Sequence, residues 1–303
     1  MNTAADRGER RVRLAIFGPP LLGAIGLLLV AVGAVGLVGR GDSGPAATPD
    51  TRIEPTDDTS DAPGASVPAS PTDYLLVSTT GYLYPAGPAP VPAGATVVGA
   101  ARSRVAGHWL VTADGRVIGA GAPVAGDAPR TADEAPMVGI ATAGDVAYWL
   151  ASRDGRVFAF GGAPFHGDLS GVELSAPVVA IAPTPDGGYL LLQSDGAVLA
   201  FGTAIASVPT GFVPGAAVAI VAPPTGGFLV ASAEGIVTGF GAIPAGDTAS
   251  VGVTTPVAAM ADAPGTDGYW IATTDGAVYG FGAAAVRQPP PDGFGAVAAI
   301  TPR

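Results

Sequence analysis

Gly188-Tyr189-Leu190-Leu191-Leu192-Gln193-Ser194-Asp195-Gly196-Ala197-Val198-Leu199-Ala200-Phe201-Gly202 sets two apolar runs on either side of a polar Ser-Asp-Gly step. That is the pattern of a β-hairpin with a tight turn. Variants recur from Gly107-His108-Trp109 to Gly121, from Ala147-Tyr148-Trp149 to Gly161, from Gly227-Phe228-Leu229 to Gly241 and from Gly268-Tyr269-Trp270 to Gly282, with a weaker copy from Asp73-Tyr74-Leu75 to Gly87. The turn glycines Gly81, Gly115, Gly155, Gly196, Gly235 and Gly276 are 34, 40, 41, 39 and 41 residues apart. One hairpin per period of about 40 residues signals a repeat architecture.

Between hairpins lies a third element of small and β-branched residues: Val97–Ala100, Met137–Ala141, Val178–Ala182, Val218–Val221 and Val257–Ala261. Such side chains suit innermost strands, where neighbouring sheets crowd together. Tyr74, Tyr148, Tyr189, Phe228 and Tyr269 share one position in the repeat, with His108 the exception. Phe160, Phe201, Phe240 and Phe281 share another, held by Ala86 and Ala120 in the first two copies. One ring per copy in the same slot is what packing between sheets needs. A short fourth strand is expected after each Phe-Gly, as in Ala163-Pro164-Phe165-His166-Gly167.

The first copy opens on a hairpin with no inner strand before it, and Gly295–Ile300 is an inner strand with no hairpin after it. Joining the two completes a sixth unit and protects strand edges that an open array would leave bare. The expectation is therefore an all-β fold over residues 73–303: a six-bladed β-propeller closed by pairing its amino- and carboxy-terminal strands.

Ahead of it, residues 1–13 carry Arg7, Arg10, Arg11 and Arg13, and Leu14 to Gly39 is a run of 26 uncharged residues. A helix of that length spans roughly 39 Å, enough to cross a hydrocarbon core of about 30 Å. The preceding arginines favour a cytoplasmic amino terminus. A cleaved signal peptide is the competing reading, although the run exceeds the usual apolar stretch of about 7–15 residues. Residues 40–72 are rich in Pro, Ala, Thr, Ser and Asp, a composition with too little apolar surface to offset chain entropy, and they read as a disordered acidic linker. The expected order is a cytoplasmic tail (1–13), a transmembrane helix (14–39), the linker (40–72) and the propeller (73–303).

The repeat Tyr148-Trp149-Leu150-Ala151-Ser152-Arg153-Asp154-Gly155-Arg156-Val157-Phe158-Ala159-Phe160-Gly161-Gly162-Ala163-Pro164-Phe165-His166-Gly167 resembles the Gly-Tyr-Trp-Leu…Asp-Gly-x-Val-x-x-Phe-Gly repeats of actinobacterial exported and surface proteins, some of which also carry cell-wall amidase or other catalytic modules. The resemblance covers about residues 73–303. The first copy departs from it, with Thr80 in place of Asp and Pro85 inside the second strand. The resemblance implies a scaffold and brings no catalytic residues.

Composition narrows the chemistry. There is no Cys, hence no disulfide, thiolate site or lipid-bearing cysteine, and Lys is absent as well. A net charge of −11 argues against a nucleic-acid binder, which needs a basic stripe. Two histidines, His108 and His166, are too few for a metal cluster. His108 reads as a packing residue and His166 as a surface one. No cofactor or metal is expected. Asp114, Asp154, Asp195 and Asp275 read as the Asp of two-residue Asp-Gly turns. Gly41-Asp42-Ser43-Gly44, Arg40-Gly41-Asp42 and Gly119-Ala120-Gly121 match a protease loop, an adhesion tripeptide and part of a nucleotide fingerprint, and none has the structural setting its chemistry requires. The candidate binding residues are Arg102, Arg104, Asp145, Asp186, Asp262 and Asp267, assigned to loops that join inner strands to hairpins on one face.

The functional expectation is a membrane-anchored, extracytoplasmic module that binds a protein, peptide or cell-envelope glycan. An envelope-polymer hydrolase or lyase using face-loop carboxylates is the alternative. A sensor signalling through the span is a third reading, and its 13-residue tail would need a partner protein.

Overall fold

The computed structural model describes residues 73–128, 134–202, 215–286, 290–291 and 293–303. The expected tail, span and linker lie outside these residues. Everything described falls within one compact unit, Gly64–Arg303. The described residues form strands and turns and contain no helix.

The strands run in sets. β1 (Tyr74–Ser78), β2 (Tyr82–Tyr84) and β3 (Gly87–Pro88) come first, then β4 (Val97–Arg102), β5 (His108–Thr112) and β6 (Val117–Ala120). β7 (Met137–Thr142), β8 (Tyr148–Ser152) and β9 (Val157–Phe160) follow, then β10 (Val178–Pro183), β11 (Tyr189–Gln193) and β12 (Val198–Phe201). β13 (Ala217–Val221), β14 (Phe228–Ser232) and β15 (Val237–Phe240) precede β16 (Val257–Asp262), β17 (Tyr269–Thr273) and β18 (Val278–Phe281), and β19 (Val297–Pro302) ends the chain. They make six antiparallel sheets: five of three consecutive strands, and one ordered β19-β1-β2-β3. In that last sheet Tyr74 pairs with Pro302, Leu76 with Ile300 and Val77 with Ala299.

The hairpin strands β5, β8, β11, β14 and β17, like β1, are buried along their whole length. A strand covered on both faces has no reason to alternate, which is why Tyr189–Leu192 reads as an unbroken apolar run. The core is correspondingly divided into layers between sheets. Trp109, Val111, Ile140, Tyr148 and Leu150 cluster between the second and third sheets. Tyr74, Leu76, Trp270 and Ile300 join the β16-β17-β18 sheet to the β19-β1-β2-β3 sheet, and Leu75, Val77, Leu110 and Ala299 join the latter to the β4-β5-β6 sheet.

Aromatic contacts repeat from layer to layer. Trp109 meets Tyr148 and Trp149 meets Tyr189, each pair with centroids 5.0 Å apart, and Trp270 meets Tyr74 at 5.5 Å. The Phe slot packs both ways: Phe160 lies beside Tyr148 and Phe201 beside Tyr189 in their own sheets, both at 5.5 Å, while Phe160 and Phe281 also press on Gly126 and Gly246 of the preceding unit. Trp–Tyr pairs stand at three of the junctions between sheets, and Leu190 with Phe228, Leu229 with Tyr269 and Leu75 with Leu110 cluster at others.

Two expectations need correction. The Asp-Gly turns have three residues, not two. Gln193 N–H donates to Ala197 O at 2.8 Å and Gly196 N–H to Gln193 O at 3.0 Å, and Gly196 takes φ +87°, the signature of a type I turn followed by a bulge at glycine. Thr112, Ser152 and Thr273 hydroxyls donate to Asp114, Asp154 and Asp275, so these carboxylates belong to the turns. The fourth strand, in turn, is present among the described residues in one sheet, as β3, and the segment after Phe201-Gly202 lies outside those residues. Elsewhere the segment after Phe-Gly is held by side chains: Trp149 Nε1–H donates to Pro164 O at 2.8 Å, and the Tyr189 hydroxyl of the next sheet donates to Gly167 O. Trp109, Trp270, Tyr148 and Tyr269 repeat the arrangement. Side-chain donors satisfy carbonyls that a strand ladder would otherwise pair. Burial pushes the Tyr189 phenol up to about 12, so it remains a donor at neutral pH.

Inner strands approach closely enough that a Cβ added at Gly99 would lie 3.0 Å from the Gly139 Cα. Gly99→Val is expected to lower stability by about 1–3 kcal/mol through overpacking, measured as a lower urea midpoint. Tyr189→Phe keeps the ring, as Phe228 does in its own sheet, and is expected to cost about 1 kcal/mol for the lost hydroxyl bond. An unchanged midpoint in either variant would contradict these contacts.

Candidate functional site: a charged mouth between the inner strands

In a β-strand, residues two apart face the same side. Ala100, Ile140, Ile181, Ile220, Met260 and Ile300 each pair with the central residue of the adjacent hairpin strand, Leu110, Leu150, Leu191, Val230, Ile271 and Leu76. Two positions further on stand Arg102, Thr142, Pro183, Ala222, Asp262 and Pro302. Both sets line one cavity of about 640 Å³, to which every sheet contributes. The first set also lines a smaller hollow of about 110 Å³, bounded otherwise by Gly, Ala and Val. A collar of one Ala, four Ile and one Met thus separates a wide polar mouth from a narrow apolar one.

The wide mouth carries three charged residues, Arg102 at the end of β4, Arg104 from the β4–β5 connection and Asp262 at the end of β16. Among the described residues none of the three makes a salt bridge, whereas Arg116 and Arg156 pair with Asp114, Asp154 and Glu134. The arginine-bearing connection is braced. Ser103, 2% exposed, donates through Oγ to Asp145 O at 2.9 Å and accepts the Val105 N–H at 3.2 Å. Thr142 Oγ1 donates to Arg102 O at 2.6 Å. Burial pushes the Asp262 carboxyl above its ordinary range. The remaining rim is rich in proline (Pro183, Pro185, Pro224, Pro264 and Pro302), which is stiff and has no N–H.

The six residues expected to form a site are therefore divided. Arg102, Arg104 and Asp262 line the cavity, and Arg102 and Asp262 end strands where loops were expected. Asp145, Asp186 and Asp267 are exposed on loops outside its lining, and Asp145 serves the site only through its carbonyl. A second hollow of about 360 Å³ lies against Pro92–Thr96, Ala113, Asp114 and Arg116. Its Asp114 and Arg116 lie 3.5 Å apart and balance each other.

Sequence reasoning missed the collar, Thr142 and Ser103. The collar had a legible signal, one large aliphatic residue at a fixed place in each inner strand. The Ser103 and Thr142 hydroxyls had none, because their partners are about 40 residues away.

His108 is buried, as its packing role requires, but it also makes a specific bond. Its Nε2 lies 3.0 Å from Pro302 O, and since a carbonyl only accepts, Nε2 carries the proton. The ring thereby ties β5 to the chain's final strand. Burial lowers its pKa, and the Arg102 and Arg303 charges add to the effect against the opposing hydrogen bond. His166 is exposed, with Nε2 3.2 Å from Gly187 O. Among the described residues no His, Cys, Asp and Glu group is arranged to hold a metal ion.

No protein-family model and no curated protein sequence matches the chain. Among solved structures, the fold is similar to that of a protein of unknown function from Bacteroides caccae, with 14% identity, a TM-score of 0.53, and coverage of 76% of this chain and 98% of that one. YCF48 from Cyanidioschyzon merolae aligns at 14% identity over 66% of this chain and 70% of its own, with a TM-score of 0.39. A structure of YCF48 bound to D1 peptide aligns at 12% identity over 71% and 67%, with a TM-score of 0.41. These likenesses concern the fold alone.

A folded-state pKa below the unfolded value means that the unfolded chain binds more protons, so the His108 contribution is complete above about 6.5 and is lost as pH falls through the folded value. Stability of His108→Phe is expected to fall less than that of the native chain between about pH 7.5 and pH 5, compared by urea midpoints. Parallel pH profiles would show that His108 titrates alike in the folded and unfolded chain, against the lowering by burial.

Proposed function

We propose that this chain is a membrane-anchored, extracytoplasmic binding module: a six-bladed β-propeller, closed by its terminal strands, that takes a protein, peptide or cell-envelope glycan at its central mouth. One observation carries the reading, the cavity of about 640 Å³ to which all six sheets contribute. Its volume is that of a ligand site, it has an apolar floor and a charged rim, and the residues that shape it are braced. The hydrolase alternative needs cooperating carboxylates. Among the described residues Asp262 is the one carboxylate in the cavity lining, with Asp145, Asp186 and Asp267 outside it.

The placement in the cell rests on the sequence: an uncharged run over residues 14–39 behind four arginines, then an acidic linker over 40–72. The chain enters the first sheet at the rim of the wide mouth, where Tyr74 pairs with Pro302.

Selection of displayed random peptides and envelope glycan fragments on the full chain in detergent tests the binding role. Enrichment is expected on the native protein and is expected to vanish in Ala222→Trp, which fills the mouth. No enrichment, or enrichment indifferent to the Trp, would overturn the assignment. The chain has no native Cys, so topology can be read without background. Ser60→Cys should react with a membrane-impermeant maleimide on intact cells and Thr3→Cys should not. The reverse pattern would refute the orientation.

A further inference from the structure

We propose that the central mouth selects a peptide segment carrying one carboxylate beside an apolar side chain. The carboxylate sits on Arg102 and Arg104, and the apolar group rests on the collar of Ile140, Ile181, Ile220, Met260 and Ile300. This inference rests on the binding reading above and adds to it the charge and polarity of the ligand.

Four observations lead there. The protein is acidic overall, with a net charge of −11, yet two arginines and one aspartate line its central cavity, none of them in a salt bridge among the described residues. Guanidinium forks match carboxylate geometry and keep their charge at any working pH.

Other donors at the rim are few. Its prolines have no N–H, the Thr142 hydroxyl is committed to Arg102 O at 2.6 Å, and Thr184 N–H donates to Gly188 O at 2.9 Å, while the Thr184 hydroxyl, which accepts the Gly188 N–H at 3.0 Å and keeps its own hydrogen, is buried. An anionic group in the mouth therefore turns to the two arginines. The Ser103 and Thr142 bonds hold the backbone of their connection in place, so the ordering cost of binding falls on the two arginine side chains.

The floor is apolar across five large side chains, which a sugar or an inorganic anion would leave uncovered and a Leu- or Ile-sized group would bury. Polarity across the mouth comes last. β19 separates the β4 side, with Arg102, from the β16 side, with Asp262. A second carboxylate directed to the β16 side meets Asp262, a like charge. The site thus takes one acidic group in one orientation, with the peptide running away from Arg102.

The test uses the full chain in detergent with fluorescein-labelled Gly-Leu-Asp-Leu-Gly-amide and its Asn counterpart, read by anisotropy. The Asp peptide is expected to bind about tenfold more tightly, with the advantage shrinking as salt rises from about 0.05 to 0.3 M. Arg102→Gln with Arg104→Gln is expected to erase that advantage and spare the Asn peptide. Arg102→Lys with Arg104→Lys is expected to keep part of it, and Asp262→Asn to tighten the Asp peptide. Circular dichroism of each variant reports its folding, and the two exposed arginines can be changed without opening the core.

If both peptides bind equally and both are excluded by Ala222→Trp, the charge assignment fails while the binding role stands. If neither binds, this inference fails, and the binding role is decided by the selection experiment above. Tight binding of a labelled oligogalacturonate in place of the Asp peptide would assign the arginines to an acidic glycan and overturn the peptide class.

Discussion

The antiparallel ladder between β1 and β19 is the constraint on which the rest of the described structure depends. It joins residues more than two hundred positions apart, yet the entropy of bringing chain ends together grows only with the logarithm of their separation. The ladder recovers that cost through burial, since Tyr74, Leu75, Leu76 and Val77 are all at most 2% exposed. It also decides the chemistry of the mouth. β19 places Ile300 in the collar and Pro302 at the rim, supplies the carbonyl that meets His108 and stands between Arg102 and Asp262. Without it the two charges would flank a gap.

Stacking of sheets, rather than hydrogen bonding between them, holds the remaining structure together. Each hairpin strand sends a Trp or Leu towards one neighbouring sheet and an aromatic ring towards the other, and aromatic pairs at 5.0–5.5 Å recur where Trp is present. The polar ends of the same rings bond carbonyls in the segments after the third strands. One side chain thus supplies core area and replaces part of an outer strand, and this is why three-strand sheets suffice here.

The same geometry makes the two ends of the inner strands unequal. At one end Gly99, Gly139 and several alanines let the strands converge on a hollow of about 110 Å³. At the other the strands diverge into loops and leave about 640 Å³. Side chains two apart on a strand share a face, so a single inner strand contributes one residue to the collar and one to the rim. A rim residue such as Ala222 lines the mouth and also packs at the edge of the layer formed by Ala182, Leu190 and Phe228.

Much of this was legible in the primary structure. Hairpins, their period and the small residues of the inner strands are local patterns, set by alternation, turn chemistry and side-chain size within about 15 consecutive residues. The terminal half-units announced their own partner, because an unpaired strand edge is costly. Tertiary structure alone decided which charges meet. Asp145, Asp186, Asp262 and Asp267 look alike in sequence, each near the end of an inner strand, yet only Asp262 continues the strand on the face that the collar occupies. Asp145 and Asp186 follow the last residue of their inner strands by three positions and Asp267 by five, which carries them onto exposed loops. Register depends on bulges and on hydrogen bonds such as Ser103 to Asp145 O and Thr142 to Arg102 O, whose partners come from different repeats and form only once the sheets have packed.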